Sequence, residues 1–169
     1  MSPKSYDPRL RQWIVQPQTT PPTTDSGASA TNFEMISVYR SSKNGNFIIQ
    51  PMTRHPIGAS GEFGKPTIIS DDQFDARIVL AVIENLAKYH QQVYRDDLAP
   101  TRSSKEQRQF VKEHLCVSVT RFPSGQIEIR PGHRERGGYV GDKENISLGP
   151  DEIPGKLARA LRDAFSRSS

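Results

Sequence analysis

A single cysteine, Cys116, stands in the 169 residues. It can close no internal disulfide, and no metal cluster can be built from cysteines. Long apolar runs are also missing, because no stretch reaches the roughly 18 consecutive apolar residues of a membrane-spanning helix. Near the N-terminus the only apolar group, Trp13-Ile14-Val15, is preceded by Arg9, Arg11 and Gln12, so no secretion-signal core is expected. These absences make the cytoplasm the expected compartment. Hydrophobic residues are sparse, at 34%, and mean hydropathy is -0.66. The dilution comes from residues Met1 to Asn32, where Pro3, Pro8, Pro17, Pro21 and Pro22 accompany the run TTPPTTDSGASAT. Such a segment cannot bury enough apolar area to offset its ordering entropy and is expected to be a flexible tail or linker. The apolar residues that remain cluster between Phe33 and Phe165, which is enough for one domain over 33–169. The net charge of +4 permits an acidic partner without demanding one.

Within that domain the chain repeats itself. SVYRSSKNGNFIIQPMTR (Ser37 to Arg54) is answered by SVTRFPSGQIEIRPGHR (Ser118 to Arg134). A single duplication spaced by about 80 residues points to two halves sharing one core, at about 33–90 and 103–167, rather than to a solenoid. In the first copy Ile36, Val38, Phe47 and Ile49 alternate around the Lys43-Asn44-Gly45-Asn46 turn. In the second, Val117, Val119, Ile127 and Ile129 alternate around Pro123-Ser124-Gly125. Both patterns are those of half-buried antiparallel hairpins. Each copy continues through a polar loop to a short β-rich run, Thr67-Ile68-Ile69 or Ile146-Ser147-Leu148, and then to a helix.

The first helix is expected from Ser70, where SDDQ reads as a capping box. Its stripe is Phe74, Ile78, Ala81, Val82, Asn85 and Leu86, widened by Val79, Leu80 and Ile83 until the helix reads as buried on more than one side. The last helix aligns with it. Gly149-Pro150-Asp151-Glu152 opens it and Ile153, Leu157, Ala160, Leu161, Ala164 and Phe165 repeat the stripe, with Pro154 and Gly155 expected to distort the first turn. Between the copies, a polar connection over Gln91 to Arg102 leads to a short helix from Ser103 to about His114, anchored by Phe110, Val111 and Leu115. The fold class is therefore α+β, with two repeated halves and helices on one face of an antiparallel sheet.

Two loops carry the polar residues. Met52 to Pro66 holds Arg54, His55, Glu62 and Lys65; Gly132 to Asn145 holds His133, Arg134, Glu135, Arg136, Tyr139, Asp142 and Lys143 around Gly137-Gly138. A His with an Arg and a Glu could move protons on a phosphodiester. However, Arg54-His55 and His133-Arg134 run in opposite order, with no nucleophile at a defined spacing, so no catalytic residue is assigned and the loops read as partner-binding. His55, His90, His114 and His133 lack metal-site spacing, so neither a metal nor another cofactor is expected. Gly137 to Gly141 reads as a flexible loop, since no helix follows at once to complete a phosphate cradle. The alternative function is single-stranded nucleic-acid binding on the sheet face. Arg40, Arg54, Arg121, Arg130, Arg134 and Arg136 would track the backbone, and Tyr39, Phe122 and Tyr139 would stack bases. Phe47 fits the core better, and Asp71, Asp72, Asp96 and Asp97 break a continuous basic track.

The order QFVKEHL, CVSVTR, SGQIEIRP, RERGGYVG and LGPDEIPGKLARALRDAF, over roughly Met35 to Phe165, resembles the immunity proteins of bacterial contact-dependent growth inhibition. The resemblance implies a cytoplasmic bacterial protein that performs no reaction. It would bind the C-terminal toxin domain of a cell-surface effector, commonly a nuclease, and block its active site. The anchors expected from it are His133, Arg134, Arg136 and Tyr139, then Arg54, His55 and Glu62. Two departures stand out: this chain is basic, whereas immunity proteins covering a basic nuclease cleft are often acidic, and Pro154 sits where a small residue would disturb the helix start less.

Overall fold

The computed structural model describes residues 32–95, 97, 99 and 101–169. The expected tail therefore lies outside the described residues apart from Asn32, and part of the expected connection does too. Alternation builds the first hairpin, β1 (Glu34–Ser41) and β2 (Phe47–Arg54), with Val38 opposite Ile49. The second, β5 (His114–Arg121) and β6 (Ile127–Glu135), places Val119 opposite Ile129. β1 and β5 pair antiparallel through the centre of the sheet, where Ser37 faces Ser118. Outward from them, β2 takes β3 (Ser60–Glu62) and β4 (Thr67–Ile69), while β6 takes β7 (Gly138–Gly141) and β8 (Ile146–Leu148). All seven pairings among the described residues are antiparallel.

Two glycines are required by geometry. Gly125 turns the second hairpin with φ +86, and a Cβ there would lie 2.9 Å from Pro150. A Cβ on Gly132 would lie 2.9 Å from the Cys116 carbonyl, so only glycine lets β6 run this close to β5.

One sheet face carries Ile36, Val38, Phe47, Ile49, Val117, Val119, Ile127 and Ile129. It packs on Phe74, Ile78, Val82 and Leu86 of α1 (Phe74–Gln91) and on Leu157, Leu161, Ala164 and Phe165 of α3 (Ile153–Arg167). Phe47 is its hub, with ring centroids 4.2 Å from Phe74 and 5.5 Å from Phe165. Each such side chain contributes about 1.5–3 kcal/mol on burial.

Four expectations change. The short helix, α2 (Ser104–Glu113), does not join the others. Phe110 and Val111 pack against Tyr39, Cys116 and Tyr139, which point to the opposite face, because α2 runs into β5 at His114 with no residue between. The Ser70 box does not form. A one-turn 3-10 segment, Asp71–Gln73, precedes α1, and the Gln73 side chain accepts from Arg77 instead of reaching back. Leu80 is 64% exposed, so α1 is buried along one stripe rather than all round. Finally, both polar loops contain paired strand: β2 and β3 pair through Thr53 and Gly61, and β6 and β7 through His133 and Val140, with Gly137 at φ +84 in the turn. Short glycine-bearing strands have too few apolar side chains to show alternation, and backbone pairing makes them. At the last helix a 3-10 turn over Pro150–Glu152 precedes Ile153, as one precedes Phe74, and Pro154 sits within the first turn of α3.

Candidate functional site

The face of the sheet opposite α1 and α3 holds the polar chemistry. Tyr39 on β1 sits beside Cys116 on β5, and its hydroxyl donates to Oε1 of Glu62 on β3. Glu62 is 3% exposed. Its second oxygen, Oε2, lies 3.6 Å from Arg102 Nη1, within ion-pair range but beyond hydrogen-bond reach, and it is buried with no hydrogen bond. Burial raises the Glu62 carboxyl above its ordinary value, against the opposing pull of Arg102 and Tyr39. Burial, and then the neighbouring Glu62, push the Tyr39 hydroxyl and the Cys116 thiol up, so both stay protonated at neutral pH.

Arg102 connects this carboxylate to α2. Its guanidinium stacks 3.8 Å from the Phe110 ring centroid and donates to Gln107, one turn into the helix. The helix starts firmly, with Ser103 and Glu106 closing a reciprocal capping box. At its other end the C-terminal carbonyls are claimed by the second hairpin. Arg134 Nε donates to Val111 O at 2.8 Å and to His114 O at 3.3 Å, and the Tyr139 hydroxyl donates to His114 O at 2.8 Å. Gln107 donates to Gly137 O at 3.4 Å. The helix and the β6–β7 turn are thus one clamped unit. His114 caps α2 with its ring nitrogen on Phe110 O, and burial lowers its pKa.

The sequence-derived anchors fall into two classes. Arg136 is exposed at the β6–β7 turn; His133 and Arg134 lie beside it on β6. His133 bonds Ser169 through Nδ1 and lies 3.2 Å from Asp142 through Nε2, which holds the Asp142 carboxyl below its usual range. Arg54 is exposed at the end of β2. His55 accepts from Ile57 N through Nδ1 and packs edge-on to Tyr94 at 4.2 Å. By contrast Glu62 and Tyr139 face inward, because both are drawn to buried partners, and Tyr139 is 7% exposed. They shape the surface from beneath rather than presenting themselves on it. Tyr39 and Phe47 are buried as well, so neither these nor Tyr139 offers an open ring face to a nucleobase. What spacing did not reveal was the role of Arg102, since nothing local in the sequence links it to Glu62. Among the described residues no group of three or more His, Cys, Asp or Glu is gathered to hold a metal ion, and no helix is long and apolar enough to cross a membrane.

No family model matches the sequence, and a search of the curated proteins finds no match. Solved structures do match in fold. A Neisseria meningitidis protein of unknown function aligns at a TM-score of 0.61 and 14% identity, covering 82% of this chain and 97% of that one. A chain of a CdiA-CT/CdiI toxin and immunity complex from Yersinia pseudotuberculosis aligns at a TM-score of 0.57 and 14% identity, covering 81% of this chain and 98% of that one. At this identity the likeness is one of fold: an α+β sheet with three helices packed on it.

Proposed function

We propose that this chain is an immunity protein that neutralises a toxin domain by one-to-one binding and carries out no reaction itself. The observation that carries the reading is the fold shared, over nearly the whole of the other chain, with a member of a toxin and immunity complex. In this reading the partner is the C-terminal toxin domain of a cell-surface effector, and the protein acts in the bacterial cytoplasm. The anchors at the surface are Arg54, Arg134 and Arg136, with the half-buried His55 and His133 beside them, while Glu62 and Tyr139 hold the scaffold beneath. The same reading takes the two halves as copies of one unit, a view supported by the matched pairing of β2 with β3 and β4 and of β6 with β7 and β8. A complex of this kind buries on the order of 1,600 Å².

The test is direct. The full chain is titrated calorimetrically with the C-terminal domain of the large secreted effector encoded beside it, and the two are co-expressed in a growth assay. One-to-one binding together with rescue of growth is expected. No heat at micromolar concentrations and no rescue would overturn the reading.

A further inference from the structure

Helix α2 has an outward face that adds little to its own stability. The inward side is Gln107, Phe110 and Val111; the opposite side carries Lys105, Arg108 and Lys112, all exposed. At i, i+3 and i+7 they form one stripe about 10 Å long. Like charges at these spacings destabilise a helix by a few tenths of a kcal/mol each. Lys105 also stands in the first turn, at the positive end of the helix dipole. Lys112, in the last turn, suits the helix dipole, but among the described residues no hydrogen bond or ion pair engages Lys105, Arg108 or Lys112. Several cations on the other helices are paired: Lys156 meets Glu152, Arg162 meets Asp71 and Asp75, and Arg167 meets Asp163.

We propose that the Lys105, Arg108 and Lys112 face of α2, with Arg136 from the clamped β6–β7 turn, docks an acidic surface of a partner protein. The proposal rests on the toxin-binding reading and names the chemistry of that partner: carboxylates spaced to meet a helical row of cations. Exposed cations like these gain little from a partner in open water but steer association, and they gain more once an interface excludes water. Nucleic acid is the poorer fit. No open aromatic ring adjoins the stripe, because Phe110 is covered by Arg102 and stacks on His114, and the exposed carboxylates of Glu106 and Glu135 break the track. The clamps at both ends of α2 present the row rigidly, so little ordering entropy is lost on docking.

The experiment compares the full chain with a Lys105→Glu/Arg108→Glu/Lys112→Glu variant against the same effector C-terminal domain, by surface plasmon resonance at low and high salt. A charge-matched control, Arg77→Glu/Lys156→Glu/Arg159→Glu, reverses cations on α1 and α3. The α2 variant should associate at least about tenfold more slowly and bind about 100-fold more weakly at low salt, with the gap narrowing as salt rises. The control should bind within about threefold of the unaltered chain, and thermal midpoints of all three should agree within roughly a few degrees. Unchanged binding by the α2 variant, or equal losses in both variants, overturns this proposal alone. Absence of binding by the unaltered chain overturns the toxin-binding reading and this proposal with it. If the unaltered chain instead binds a fluorescein-labelled single-stranded oligothymidylate and the α2 variant does not, the occupant is nucleic acid and the proposal fails.

Discussion

The two faces of the sheet differ in what holds them. On the α1 and α3 side, the core from Ile36 to Phe165 is apolar, with polar contacts such as those of Asn85 and Arg162 at its margins, and its strength scales with area. On the α2 side a small aromatic cluster surrounds a carboxylate, and the elements meet through directed bonds: Tyr39 to Glu62, Arg102 to Glu62 and Gln107, Arg134 and Tyr139 to the end of α2. An apolar layer tolerates small shifts, whereas a directed bond fixes where a helix ends. The first face supplies stability; the second sets the position of the surface that α2 and the β6–β7 turn present.

The contrast predicts effects of different size. Phe74→Ala, against the Phe47 hub of the apolar face, should cost about 3–5 kcal/mol in urea unfolding. A loss below about 1 kcal/mol would mean that α1 does not hold that face.

Arg102→Ala should cost about 2–3 kcal/mol, the lower end for breaking a buried pair, because its side chain keeps 22% exposure while Glu62 is left buried. Adding Glu62→Gln should return much of that loss, since the amide oxygen still accepts from Tyr39 without a buried charge. Glu62→Gln alone carries a pH signature. The folded carboxyl titrates above its ordinary 4.5, so its stabilising contribution is full below that value and fades as pH rises through the raised one. Unfolding measured at pH 4 and pH 7 should therefore show the variant gaining on the unaltered chain at the higher pH; a constant gap would place Glu62 in solvent.

Leu80→Gln marks the small end, with a change within about 0.5 kcal/mol, because the side chain is 64% exposed.

The apolar face was legible in the sequence because its forces are periodic. Val38, Ile49, Val119 and Ile129 announce their strands by alternation, and Phe74, Ile78 and Val82 announce α1 by helical spacing. The polar face was not, because its parts meet only in three dimensions. Glu62 and Tyr139 looked like loop residues, since β3 and β7 are strands by backbone pairing alone, and nothing near Arg102 in the chain names Glu62 as its partner. Ser70 misled for a related reason. Its Ser-x-x-Gln spacing is correct, but Gln73 turns to Arg77 instead, whereas Glu106 reaches back to the Ser103 backbone and closes the box. Leu80 shows the limit of apolarity itself, because a widened stripe is not a second buried face.

The β1–β5 ladder that joins the two hairpins at Ser37 and Ser118 also bears on how fast the chain folds. Each hairpin closes over a few residues, but the ladder's far end ties Glu34 to Arg121, 87 residues apart. Pairings so distant in sequence lose loop entropy before any contact rewards them. The hairpins therefore have the means to form early, and the slow event is the meeting of β1 with β5. Until then, two unpaired strand edges are open in the same molecule, which makes synthesis of the second half the interval when the chain is most exposed to mispairing with a neighbour.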